Sequence, residues 1–240
     1  MQLVSRRSAL VGFAGIPFFP SKPSILGTSF RVIRNETDRR RYLWIHGDEK
    51  TAAAVLEEHM KQARGVAFLV QNGERNIAVN GGKLDPNRMF SRVGAERNLR
   101  MLNPSWTTQQ TTQVLDKLDG ERRVFLKRIL PPVGALLVAL HNNTPGAYTV
   151  NDEAKISDAV ALNDKEHPDE FMLCTDTADF GVLANSRHNV VLQNKVPPED
   201  DGSLSRLCAA RGVRYVNIEA THGNAEVQRK MLAWLEIALQ

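Results

Sequence analysis

Four side chains in this sequence are of the types that build a water-activating metal site. His46 and Glu49 stand three residues apart in Leu43-Trp44-Ile45-His46-Gly47-Asp48-Glu49, so an imidazole nitrogen and a carboxylate oxygen can reach one ion. His141 follows the apolar run Ala135-Leu136-Leu137-Val138-Ala139-Leu140, and Glu219 closes Val213-Arg214-Tyr215-Val216-Asn217-Ile218. A hydrolytic zinc site takes about three protein ligands and keeps one position for water. His46, Glu49 and His141 supply two nitrogens and one carboxylate for a single Zn2+. Such an ion acidifies water and polarises a carbonyl. A carboxylate beside it can take the water proton and pass it to a leaving nitrogen, the role expected of Glu219.

A substrate carboxylate or a developing oxyanion also needs a cation. Arg88 and Arg92, with Asn87 beside them in Asp85-Pro86-Asn87-Arg88-Met89-Phe90-Ser91-Arg92, suit that task, because a guanidinium grips a carboxylate through two parallel donors. His222, in Glu219-Ala220-Thr221-His222, has the reverse spacing of the first pair; it is read as supporting the ligands or touching substrate rather than as a ligand. Taken singly, each residue has a plainer reading: a strand-end loop for His46 and Glu49, a core histidine for His141, a solvated face for the arginines. Their order along the chain favours the site.

The elements that must bring them together are visible as apolar runs alternating with helix-period segments. Strands are expected at 42–46, 66–70, 76–79, 135–140, 170–175, 190–193 and 215–218. Helices are expected at 50–64, from Ser105 towards Arg128 with a break near Gly120, at 203–211 closed by Gly212, and at 225–239. The loop 80–86 separates strand from motif. Continuous apolar strands between helices imply an α/β fold, a central mostly parallel, mixed sheet with helices on both faces. Sites in such folds lie beyond the carboxyl ends of the strands, where His46, His141 and Glu219 fall.

Length and composition agree. The 240 residues are 42% hydrophobic and 24% charged, which suits one globular domain. The opening Ser5-Arg6-Arg7-Ser8-Ala9-Leu10, followed by Val11 to Ile16, has the form of a twin-arginine export signal and is too short for a membrane span. Residues 1–26 are assigned to that signal and a linker, and 27–240 to the hydrolase domain. The expected location is periplasmic or secreted, without stable membrane insertion after export; a misread signal would mean the cytoplasm. Residues 1–23 carry three of the four net positive charges, so the pI of 9.2 gives no argument for nucleic acid. Cys174 and Cys208 are expected to be small buried hydrophobes, with a disulfide as the lesser reading; neither belongs to a zinc-ligand pair. Oligomeric state is not legible.

The set His46-Gly47-Asp48-Glu49, Asp85-Pro86-Asn87-Arg88-Met89-Phe90, His141 and Glu219 resembles the zinc carboxypeptidase superfamily. It is most similar to the branch of succinylglutamate desuccinylase and aspartoacylase, with its His-Gly-x-Glu and Asn-Arg-x-Phe motifs. The resemblance implies zinc on His46, Glu49 and His141, water promotion by Glu219, and a substrate carboxylate held by Asn87 and Arg88. Pro86 departs from the apolar residue such a motif places before Asn-Arg. Arg64 and Arg75 are the arginines between Glu49 and Asn87, and neither is singled out for the oxyanion. Tyr148, near His141 in sequence, is the candidate tyrosine over the substrate. The expected activity is cleavage of an amide bond beside a free carboxylate, as a periplasmic carboxypeptidase on peptides such as cell-wall stem peptides. The alternatives are an N-acyl amino acid deacylase and a non-catalytic binder of peptide carboxylates.

Overall fold

The computed structural model describes residues 22–35, 39–195 and 199–240. The twin-arginine segment lies outside the described residues. In chain order the elements are β1 (Ser24–Ile25), β2 (Thr28–Asn35), β3 (Arg41–Trp44), α1 (Lys50–His59), β4 (Gly65–Val70), β5 (Ile77–Val79), β6 (Gly82–Leu84), α2 (Arg92–Leu102), α3 (Thr108–Ile129), β7 (Leu137–Asn143), α4 (Val150–Ala154), β8 (Ala159–Ala161), β9 (Phe171–Cys174), α5 (Thr177–Leu183), β10 (Asn189–Leu192), α6 (Leu204–Arg211), β11 (Tyr215–Thr221) and α7 (Ala225–Ala238).

Nine strands form one sheet in the order β1-β2-β4-β3-β7-β11-β9-β10-β8. The central run β4-β3-β7-β11 is parallel, as is β9 with β10. Antiparallel pairs flank it: β1–β2, β2–β4, β11–β9 and β10–β8. The fold is therefore α/β with a mixed, mostly parallel sheet. Every residue of β4, β7, β9 and β10 is buried, which requires cover on both faces. Helix α7 contacts both α1 and α5, and α6 and α7 each pack against β11.

Most expected elements form, and the differences have local causes. The strands predicted at 135–140 and 215–218 each run on to include the site residue, since parallel pairing continues through Glu219 opposite His141 to Thr221 opposite Asn143. The long helix is capped not by Ser105 but by Thr107, whose hydroxyl and Gln110 close a reciprocal capping box. It continues through Gly120, which faces open space and carries no strain. Part of the 80–86 loop is strand β6: Asn80 and Gly81 both have positive φ and turn β5 into it.

Ser24 and Ile25 pair with β2, and Ile25 and Leu26 are buried in the core. Cys174 and Cys208 are both free and buried. Burial pushes both thiols well up. Among the described residues, no helix is long and apolar enough to cross a membrane.

Candidate active site

Strand β3 ends at Trp44, and His46 follows in the turn that leads into α1. Gly47 is needed there: a methyl group on it would lie 2.4 Å from the Asn72 carbonyl oxygen. Glu49 is the N-cap of α1 but makes no side-chain cap bond. Its carboxylate turns instead towards the histidines, leaving the first-turn N–H groups of α1 to find other acceptors. Asn142 Oδ1 takes one of them, the Ala52 N–H at 2.7 Å. Asn142 and His141 are adjacent on β7 and so point to opposite faces. The Asn142 side chain also donates to the Ala220 carbonyl and to Gln228 of α7, both at 3.3 Å. One strand thus places His141 in the site and, through its neighbour, anchors the helix that carries Glu49. The indole of Trp44 adds a bond to the Glu49 carbonyl at 2.9 Å.

The His46 Nδ1 lies 2.8 Å from Glu49 Oε1 and 3.1 Å from His141 Nδ1. Glu49 Oε2 is 3.0 Å from His141 Nδ1, yet is buried without a properly angled hydrogen bond. The ligand atoms of His46, Glu49 and His141 all lie within 4.8 Å of one another, and all three residues are buried. Two nitrogens bound about 2.1 Å from one tetrahedral ion would sit roughly 3.4 Å apart, near the 3.1 Å seen. Three lone pairs converging out of water with one orphaned carboxylate oxygen fit a cation; these residues can hold a metal ion.

The other His46 nitrogen, Nε2, meets Asp85 Oδ1 at 2.9 Å. That is the carboxylate–histidine support that fixes the tautomer of a ligating imidazole. In sequence Asp85 is only the first residue of its motif; the fold is what puts it behind His46. Burial is the largest influence on His46 and acts to lower its pKa, but the hydrogen bonds to Asp85 and Glu49 outweigh it and lift the imidazole to about 9. Burial likewise acts to raise Glu49 and Asp85. The histidines hold Glu49 well below the ordinary range; His46, with Arg75 beside it, brings Asp85 down to about 2. Arg75 bonds Glu49 Oε1 at 3.1 Å, while Arg64 lies on the opposite edge of the molecule beside Arg39 and Arg214.

Tyr215, Asn217 and Glu219 alternate along β11 and face the same cleft. Glu219 is 6% exposed, opposite His141 in register, and takes a 2.8 Å hydrogen bond from Asn217 Nδ2. Burial is the main reason its carboxyl stands above the ordinary 4.5; the His141 charge opposes and the Glu49 charge reinforces that shift. The cleft has a volume of about 470 Å³.

Other expected residues fare differently. Asn87 and Arg88 line the cleft but are occupied: Asn87 Oδ1 accepts the Leu204 N–H at 3.1 Å, and Arg88 pairs with Asp201 at 3.0 Å. Arg92 does not line it. As the first residue of α2, it turns outward and pairs with Asp116 and Asp119 of α3. Tyr148 lines the cleft, but its hydroxyl donates to Glu153, so it is held in the wall rather than free to swing over a ligand. His222 stands exposed at the rim. His188 is buried ahead of β10, and His59 packs edge-on against Tyr42. Arg206, Gln193 and Glu153 complete the far wall, and none carried a sequence signal.

No family model and no curated protein matches the chain. Among solved structures it is similar to the apo ectoine utilization protein EutE (DoeB) from Ruegeria pomeroyi, with TM-score 0.44 and 14% identity over 86% of this chain and 59% of that one. The chain thus spans less than two thirds of the EutE chain. It is also similar to N-formylglutamate amidohydrolase from Ralstonia eutropha JMP134, with TM-score 0.39 and 12% identity over 87% of this chain and 96% of that one.

Proposed function

We propose that the protein is a metal-dependent hydrolase that cleaves an amide bond beside a free carboxylate. The observation that carries this reading is the convergence of His46, Glu49 and His141 on one point, with a buried carboxylate, Glu219, opposite His141. A divalent ion held there, zinc by the nitrogen and carboxylate donor set, would polarise the substrate carbonyl and acidify water. Glu219 accepts the water proton on its carboxylate and delivers it to the leaving nitrogen, a role that its raised pKa suits. Asp85 keeps the Nε2 proton of His46 in place, so that Nδ1 presents its lone pair. Arg75, at the cleft wall beside Glu49, is placed to meet the developing oxyanion.

The compact cleft and its three arginines, Arg75, Arg88 and Arg206, favour a small carboxylate-bearing amide, as an N-acyl amino acid deacylase would use. Trimming of peptides, including cell-wall stem peptides, by an enzyme exported through its Arg6-Arg7 signal is the second reading; it is motivated by that signal rather than by the cleft. A silent binder of peptide carboxylates would keep the fold without turnover.

Mass spectrometry of N-acyl amino acids and peptide mixtures, muropeptides included, incubated with metal-loaded protein separates these. Release of a free amino acid is expected. Glu219→Gln should lower turnover by at least about 100-fold with metal content unchanged, and His46→Ala should lose the metal. Equal turnover by Glu219→Gln and wild type would overturn the mechanism.

A further inference from the structure

We infer that Arg206, with the N-terminus of α6, forms an anion subsite in the cleft that receives a ligand carboxylate. Arg206 is 7% exposed and lines the cleft, yet its guanidinium makes no hydrogen bond or ion pair with any described residue. The other two cleft arginines have carboxylate partners, Arg75 on Glu49 and Arg88 on Asp201. Glu153 is close enough to feel the Arg206 charge, but its two oxygens are taken by the Tyr148 hydroxyl and the Gln193 amide. A buried guanidinium offers five donors and no acceptor, and leaving it without a partner is costly. Its donors face the cleft without an acceptor from the described residues, and a carboxylate matches the fork.

The backbone around it points the same way. Ser203 caps α6, and Ser203, Ser205 and Arg206 occupy the cap and first turn and line the cleft together. Of the first-turn N–H groups, Leu204 is taken by Asn87 Oδ1 and Arg206 by Ser203 Oγ, but the positive end of the helix still favours an anion there. Asn87 and Arg88, expected from the motif to take that carboxylate, are already bonded to Leu204 and Asp201. Calling the anion part of a substrate rests on the hydrolase reading; the subsite does not.

Calorimetric titration of metal-free protein with glutarate, and with its neutral diamide as control, tests this without metal or turnover. Wild type should bind glutarate saturably and ignore the diamide. Arg206→Gln should weaken glutarate binding at least about tenfold, and Arg206→Lys should restore part of it. Without ligand, Arg206→Gln should melt at or above the wild-type temperature, because an unpaired buried charge is removed. Three outcomes would overturn the subsite: no glutarate binding by wild type, equal binding by Arg206→Gln, or a ligand-free Arg206→Gln that melts well below wild type. Failure of the hydrolase reading would appear separately, as absent turnover with glutarate binding intact.

Discussion

A Cβ at Gly47 would lie 2.1 Å from Asn72 Oδ1 and 2.4 Å from the Asn72 carbonyl oxygen, so the glycine between His46 and Glu49 is a packing requirement. Side chains can turn aside, but a backbone carbonyl cannot without moving its strand end. Gly47→Ala should therefore shift the turn that aims His46 and cost about 1–3 kcal/mol of stability. Denaturant melts and metal titration should show both losses; an unchanged metal affinity would mean that the turn is not what aims the imidazole. Asp85 acts differently. It holds the far nitrogen of His46, so Asp85→Asn should leave the fold intact and weaken metal binding by about 10- to 100-fold, read by chelator competition. The spacing of His46 and Glu49 and the strand-end position of His141 were legible in the sequence because each is fixed by local geometry. Asp85 was within reach too, since a ligating imidazole needs an acceptor behind it. The arginines were not. Arg88, Arg92 and Arg206 are alike in sequence, and only tertiary placement decides that the first two meet acids, one at the cleft and one outside it, while the third is left in the cleft.

Elements that are buried on both faces declared themselves as apolar runs, and these are the ones that carry the site. Strands β7 and β11 read almost correctly, falling short only where polar His141, Asn142 and Asn143 continue the pairing. Edge and peripheral pieces did not read: β2 alternates with charge, α2 is strongly polar, and α4, β8 and α5 are three to seven residues long. Short elements draw their stability from neighbours, and no local period reveals them. One clamp between elements has a pH signature. Glu236 of α7 accepts the Tyr42 hydroxyl of β3 at 2.8 Å and pairs with Arg40 and His59. Burial acts to raise its pKa, but these partners outweigh it and the net shift is downward. A carboxylate with a depressed folded pKa contributes stability that is present above its unfolded value of 4.5 and is lost as pH falls through the folded value. Wild-type stability should thus fall more steeply below about pH 4.5 than that of Glu236→Gln. At pH 7 the variant should be less stable by about 1–2 kcal/mol. Parallel pH profiles of the two would remove Glu236 from the acid response.

At the scale of the molecule, the candidate metal ligands come from two separate places: the turn that runs from β3 into the cap of α1, and the body of β7. In the unfolded chain His46 and His141 are 95 residues apart, so no preformed site survives unfolding. An ion that binds only the folded chain stabilises it by mass action, about 2.7 kcal/mol at a free concentration 100 times the dissociation constant. For a chain of this size each kcal/mol moves the midpoint by roughly 2–4 °C, so zinc should raise the melting temperature by about 5–11 °C and a chelator should reverse it. His46→Ala and His141→Ala should abolish the shift, whereas Glu219→Gln, which removes the proposed base and no ligand, should keep it. The contrast matters because hydrolysis can fail for want of the right substrate, but this linkage requires only the fold and the ion. A zinc-induced shift that survives loss of both histidines would place the ion elsewhere, and the reading of the cleft as a metal centre would fall with it.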